Sequence, residues 1–125
     1  MSVSKLTHPD GTTPSYSLAA TFGEMIFTCG QVGVDPGGPP PSFEEEVRIA
    51  LKRLLDVVKA AGGNQETVLK VNGYLLDLAD FPIYDRIYRE VFIQVPRPAR
   101  TTVQVGAFPH PIRIEVDAIA AIAKA

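Results

Sequence analysis

The stretch SFEEEVRIALKRLLDVVKAAGG, residues 42–63, predicts a long amphipathic helix. Ser42 followed by Glu45 fits a capping box, and Gly62 with Gly63 supplies a C-terminal stop. A helix of this size is large enough to cover one face of a β-sheet. Its apolar residues recur at helical spacing, namely Phe43, Val47, Ala50, Leu51, Leu54, Val58 and Ala61.

The segments on both sides of this helix predict strands. Residues 14–34 combine aromatic and β-branched residues around the turn FGE, which predicts two short strands. The sequence DPGGPPP at 35–41 predicts a surface loop, because each proline fixes φ and lacks an amide donor. Residues 67–78, TVLKVNGYLLDL, are apolar enough to predict a strand that is buried on both faces.

The remaining segments complete the element order. Residues 80–95 return to helical spacing, with Asp80 as the expected N-cap, and two strands follow near 100–106 and 112–121. The order ββαβαββ predicts one α+β domain over residues 1–125, in which both helices pack on one side of a single-layer sheet. The other side stays uncovered unless a partner covers it, so we expect oligomerisation.

Composition excludes several classes of function. The 125 residues are 46% hydrophobic and 21% charged, which is typical of one compact domain. The net charge of −2, without any Lys/Arg run longer than two, argues against nucleic-acid binding. A single cysteine, Cys29, excludes an intrachain disulfide and a multi-cysteine zinc site. No apolar segment approaches the roughly 18 residues of a membrane span, and the N-terminal residues lack the apolar core of a signal peptide, so we expect a cytoplasmic protein.

Two polar strand faces carry the candidate chemistry. Because successive side chains of a strand point to opposite faces, Arg100 and Thr102 share one face of ARTTVQVG. Glu115 and Asp117 share one face of IRIEVDAIA for the same reason. A hairpin closed by GAFPHP would place Thr102 opposite Glu115. It would also place Arg100 opposite Asp117 and about 7–8 Å from Glu115 across the diagonal. An arginine beside a carboxylate can hold a substrate carboxylate while the acid positions a water. The alternative interpretation is a solvated sheet face with weak cross-strand ion pairs.

Five blocks together resemble one family over essentially the whole chain: PSYSLA, IFTCGQVGVDPGG, VLKVNGYLLDLADF, PRPARTTVQV and IRIEVDAIA. They resemble the reactive intermediate deaminase family, also called Rid or YjgF, and the ordered G-Q, P-x-R and I-E-x-x-A-I-A blocks are specific. The resemblance implies a chorismate-mutase-like subunit with a mixed sheet, assembled as a homotrimer with active sites between subunits. It also implies hydrolysis of enamines and imines, such as 2-aminoacrylate and 2-iminopropionate, to a 2-oxo acid and ammonia without a metal or an organic cofactor.

The resemblance assigns roles to individual residues. Arg100 matches the family's carboxylate-binding arginine, and Glu115 matches the acid that orients or activates the attacking water. Tyr16 matches the tyrosine that closes the cleft. Cys29 and Gly30 fall in the loop, usually Ser-Gly-Gln, that lines the pocket.

Three positions of the pocket depart from the family pattern. Cys29 replaces the usual serine, Thr102 stands where many members carry cysteine, and Asp85 stands where an asparagine often helps to build the pocket. These departures could shift the preferred size or charge of the substrate, so the resemblance implies the reaction class and leaves the physiological substrate open.

Alternative functions follow from the same residues. A non-catalytic trimer that binds carboxylate metabolites or partner proteins would keep Arg100 but tolerate loss of Glu115. RNA cleavage or translation inhibition is attached to some relatives of the family, and the acidic charge balance disfavours it here. For Cys29, nucleophilic catalysis is the less favoured interpretation, because no histidine lies near it in the sequence and lone strand cysteines are mostly buried apolar residues.

Other candidate residues have structural interpretations. His8 and His110 show no metal-ligand spacing, so we expect no metal site. Tyr16 could equally be an ordinary strand residue. Asp117 could pair with Arg113 or Arg100.

Overall fold

The computed structural model describes residues 1–124, in which a seven-stranded mixed sheet carries two α-helices on one face. The order along the sheet is β1-β2-β3-β7-β5-β6, and β4 pairs with β7. The pair β5–β6 is parallel and the other pairs are antiparallel. This confirms the predicted α+β fold class. The elements are β1 (Val3–Leu6), β2 (Ala19–Phe22), β3 (Met25–Thr28), β4 (Gln31–Val32), α1 (Phe43–Ala60), β5 (Val68–Leu75), α2 (Phe81–Val91), β6 (Ala99–Gln104) and β7 (Ile114–Ala121).

Helix α1 forms where its sequence predicts it. The Ser42 side chain accepts a hydrogen bond from the Glu45 amide at 3.2 Å, which caps the first turn. Gly62 follows the last turn with φ of 104°, a conformation that favours glycine. The predicted apolar stripe packs into the core, whereas Ala61 lies just past the helix end as its C-cap.

One charged residue of α1 is completely buried. Glu46 lies within the acidic first turn, and its two carboxylate oxygens accept hydrogen bonds from the Arg113 backbone amide at 2.8 Å and from Arg113 Nε at 2.7 Å. The Arg113 guanidinium also donates to the Pro41 carbonyl at 2.7 Å and lies 5.5 Å from the centroid of the Phe43 ring. The pair therefore ties the start of α1 to the residue that precedes β7.

The two helices leave one face of the sheet open. On β5, Val68, Val71 and Leu75 are buried beneath the helices, whereas Leu69 is exposed. The prediction that this strand is buried on both faces is therefore wrong, because no second layer formed by residues 1–124 covers the opposite side. Strands β1 and β4 are present in addition to the five predicted strands.

The predicted hairpin between the last two strands is also wrong. Strand β5 lies between β6 and β7, because the connection through α2 returns the chain parallel to β5 rather than antiparallel to β7. Arg100 is in register with Val71, a fully buried core residue, so its side chain points toward the helices. Glu115 is in register with Tyr74 and points toward the open face.

Helix α2 begins next to its predicted cap. Asp80 occupies the N-cap position, but its side chain makes no capping hydrogen bond. The carboxylate of Asp77 instead caps the preceding short 3-10 helix, accepting from the Ala79 amide at 2.9 Å.

No helix among residues 1–124 is long and apolar enough to cross a membrane.

Candidate active site

Arg100 lies on the edge strand β6, beneath α2. Its guanidinium carbon lies 4.7 Å from the ring centroid of Tyr88, 5.2 Å from that of Phe81 and 5.5 Å from that of Tyr84. These rings attract the cation and restrict its side chain. The side chain is 23% exposed, so an incoming anion can still reach it.

A carboxylate of α2 already contacts this arginine. Asp85 Oδ1 lies 2.9 Å from Arg100 Nη2, and Asp85 Oδ2 lies 3.2 Å from Nε of Arg89 one helical turn later. The Asp85 carboxylate is thus divided between two arginines. The family resemblance implied a place in the pocket for Asp85, whereas Arg89 was not among the predicted site residues.

Three buried hydroxyl groups belong to residues near Arg100, namely Tyr84 and Tyr88, whose rings contact it, and Thr102, two residues further along β6. Within the described residues, Tyr84, Tyr88 and Thr102 have hydroxyl oxygens without a hydrogen bond of ordinary geometry, although the Thr102 hydroxyl lies close enough to Tyr84 to influence its ionisation. A Cβ at Gly73 would lie 2.7 Å from the Tyr84 hydroxyl, so glycine permits this ring to lie against β5. Burial raises the pKa of Tyr84 above its usual range, which keeps the ring neutral.

Glu115 lies on the open face of the sheet, against the loop between β3 and β4. Its strand pairs with β4, with Val32 opposite Glu115. A side chain at Gly30 would overlap the Glu115 carboxylate, so the loop approaches the acid closely only because residue 30 is a glycine. Burial, and after it the negative charge of Asp117, raises the pKa of Glu115. A carboxylate with a raised pKa is a better proton acceptor for catalysis near neutral pH.

Asp117 is held by neutral partners. It accepts hydrogen bonds from Asn72 Nδ2 at 2.7 Å and from the Tyr74 hydroxyl at 3.0 Å. The pairing of Asp117 with Arg113 or Arg100 is therefore wrong, because β5 separates it from β6 and Arg113 pairs with Glu46 instead. These two partners were not predicted: alternation in VNGYL is sufficient to put Asn72 and Tyr74 on one face, but only the strand order shows that Asp117 lies beside them.

Cys29 and Tyr16, the two remaining predicted site residues, differ in exposure. The Cys29 thiol accepts from Gln31 Nε2 at 3.2 Å, and burial raises its pKa, so it is a protonated thiol rather than an activated nucleophile. Tyr16 is 58% exposed in the connection between β1 and β2, so the strand interpretation of this residue is wrong. Its ring meets that of His8 edge to face, with centroids 5.2 Å apart.

The predicted site residues thus form two groups on opposite faces of the sheet. The arginine group comprises Arg100, Asp85 and Thr102; the acid group comprises Glu115 and the loop of Cys29 and Gly30. No three His, Cys, Asp or Glu side chains in residues 1–124 are arranged to hold a metal ion.

Comparison with known proteins shows the family of this chain. The family model described as Endoribonuclease L-PSP matches residues 8–122. Among curated proteins, the 2-iminobutanoate/2-iminopropanoate deaminase of Mus musculus is 40% identical over 84% of this chain and 79% of its own length. The mitochondrial protein mmf2 of Schizosaccharomyces pombe is 36% identical over 85% of this chain and 86% of its own length.

A solved structure agrees with the fold. Escherichia coli TdcF with bound serine superposes with a TM-score of 0.85 at 28% identity, covering 96% of this chain and all of that chain. The chain therefore belongs to the Endoribonuclease L-PSP family, which is the Rid or YjgF family that its sequence resembles.

Proposed function

We propose that this protein hydrolyses reactive enamines and imines of the 2-aminoacrylate and 2-iminopropionate type to 2-oxo acids and ammonia. The observation that carries the proposal is the presence, in each copy, of a reachable arginine held by aromatic rings and an acid with a raised pKa beside a glycine loop. The name of the mouse relative describes this reaction for that protein.

The chemistry needs few functional groups. Arg100 holds the substrate carboxylate, while Glu115 accepts a proton from a water that adds to the electrophilic imine carbon. Glu115 passes this proton to the nitrogen, which gives a carbinolamine. The hydroxyl proton of the carbinolamine then transfers by way of Glu115 to the amino group, so that the C–N bond breaks and ammonia leaves as the carbonyl forms. No covalent nucleophile is required, which agrees with the protonated thiol of Cys29. Thr102 and Gly30 would line the pocket.

The reaction requires groups from two copies of the chain. Because Arg100 and Glu115 point to opposite faces of the sheet, one small molecule cannot contact both within one chain. We propose a homotrimer in which the arginine group of one subunit faces the acid group of the next, with Tyr16 closing the cleft. The exposed Phe27 and Val103, 46% and 43% accessible, give the open face an apolar surface for a partner copy.

Light scattering tests this assembly. We expect three times the chain mass of 13.5 kDa for the wild type and a smaller mass for Val103→Asp, which places a charge on the open face. Ile93→Asp is the matched control, because Ile93 is 70% exposed outside the sheet. A monomeric wild type would remove the proposed cleft.

Imine trapping tests the activity. An amino-acid oxidase generates 2-iminopropionate in situ, and semicarbazide traps the imine that survives. Wild type should suppress trapping, whereas Arg100→Ala should not, because the substrate carboxylate loses its partner. Equal trapping with wild type, variant and no protein would contradict the deaminase assignment.

The alternative functions give different results. A carboxylate-binding trimer without activity would bind 2-oxo acids equally well in the wild type and in Glu115→Gln, without imine hydrolysis by either. An endoribonuclease would bind RNA with a salt-dependent affinity, which the net charge of −2 disfavours. We retain the cytoplasm as the proposed location, although the fission yeast relative is named as mitochondrial.

A further inference from the structure

The contacts of Asp85 bear on how the site admits a substrate. Its side chain is 22% exposed and lies between Arg100, which is 23% exposed, and Arg89, whose side chain is 67% exposed. Asp85 Oδ1 contacts Arg100 Nη2 at 2.9 Å, where it uses one of the donors that a substrate carboxylate needs for bidentate binding. The position that would receive the substrate anion therefore already has an anion beside it.

We propose that Asp85 is an internal competitor of the substrate carboxylate for Arg100, and that Arg89 withdraws Asp85 when the substrate binds. This inference rests on the proposed carboxylate-binding role of Arg100. It makes Asp85 a determinant of substrate affinity rather than a group that takes part in the reaction.

The geometry determines which side chain moves. Arg100 lies among the rings of Phe81, Tyr84 and Tyr88, all within 5.5 Å of its guanidinium carbon, so it cannot leave without losing three favourable contacts. Asp85 has an alternative partner at i+4 on its own helix, which it already contacts at 3.2 Å. A rotation of the Asp85 side chain would place both oxygens on Arg89 and free the arginine fork.

Two variants should change carboxylate affinity in opposite directions. Asp85→Asn removes the competing charge and should tighten binding about five-fold, which is the size expected from losing a partly exposed ion pair. Arg89→Ala removes the alternative partner, so Asp85 stays on Arg100 and binding should weaken about two- to three-fold. The double variant should bind like Asp85→Asn alone, because Arg89 acts only through Asp85.

The experiment is an NMR titration of the assembled protein with 2-oxobutanoate at fixed ionic strength, in which the amide spectrum also reports that each variant is folded. Arg86→Ala is the matched control. It removes the same charge from α2, but Arg86 pairs with Glu44 at 3.1 Å and Glu90 at 3.8 Å rather than with Asp85.

The outcomes separate this inference from the deaminase assignment. Unchanged or weaker binding by Asp85→Asn would overturn the competition, as would equal effects of Arg89→Ala and Arg86→Ala. Absence of 2-oxobutanoate binding in every variant would overturn it too, because Arg100 would then fail to bind a carboxylate even without a competitor. Tighter binding by Asp85→Asn together with a wild type that does not hydrolyse imines would support the competition and reject the proposed activity.

Discussion

Arg100 and Glu115 point to opposite faces of the same sheet, because β5 separates their strands and places Arg100 beside buried Val71 and Glu115 beside Tyr74. A substrate that needs both side chains therefore has to lie between two copies of the chain. This relationship leads to a direct test of shared sites.

Mixed assemblies of two inactive variants should recover activity. Arg100→Ala and Glu115→Gln should each lose imine hydrolysis. In trimers formed from equal amounts of both, about one quarter of the clefts combine the intact Arg100 of one variant with the intact Glu115 of the other. Co-expression with two affinity tags and tandem purification removes the homotrimers. Each remaining mixed trimer has one intact cleft out of three, so we expect about one third of the wild-type rate. A mixture no more active than either variant alone would show that the two residues do not share a site.

The acid limb of activity should reflect the raised pKa of Glu115. Glu115 acts as the ionised base, so kcat/KM should fall as pH decreases through an apparent pKa above the ordinary carboxyl value of 4.5. Asp117→Asn removes the second cause of the raised Glu115 pKa, so the fall in kcat/KM should occur at lower pH. Burial still keeps the apparent pKa above the ordinary carboxyl value. Asp56→Asn, on an exposed turn of α1, should leave the profile in place. An unchanged profile in Asp117→Asn would exclude electrostatic coupling between the two acids.

Gly30→Ala should lower activity without removing a functional group. The added methyl would overlap the Glu115 carboxylate and displace it, so we expect kcat to fall at least about ten-fold, because catalysis requires close positioning of the base. Gly106→Ala is the control, since a Cβ there meets open space. Steady-state kinetics and light scattering on both variants separate a displaced acid from a lost assembly. Wild-type kcat in Gly30→Ala would contradict a catalytic position for Glu115.

Glu46→Ala should destabilise the fold. It leaves Arg113 without its carboxylate partner, and breaking a buried ion pair costs about 3–5 kcal/mol. Because the Arg113 side chain is 34% exposed, we expect a loss near the lower end, about 3 kcal/mol, in the free energy of unfolding measured in urea. Glu90→Ala breaks exposed pairs and should change stability by about 0.5 kcal/mol or less. Both variants are compared at one protein concentration, since assembly contributes to stability. Equal losses would show that burial of Glu46 does not decide its contribution.

The sequence alone determined the elements whose signals are local. Helix α1 has its cap at Ser42 and its stop at Gly62, and the β2–β3 turn at Gly23 follows from a short pattern of neighbouring residues. The alternation within β6 and β7 was also predicted correctly. Hydrogen bonding and side-chain periodicity over a few residues are sufficient for these features. Strand β1 was missed, because VSKL is largely exposed and its apolar residues do not alternate with polar ones. Strand β4 was missed, because two residues are too few to establish a period.

Only the tertiary structure decided which strand lies beside which, and so which side chains meet. Strand order depends on contacts between residues distant in the chain. Because β5 lies between β6 and β7, Arg100 is separated from Glu115 and contacts Asp85 instead. The burial of Glu46 has the same origin, since Arg113 is 67 residues away. A residue's type and spacing indicate which chemistry it can perform, but its partners are determined by the packing of the whole sheet.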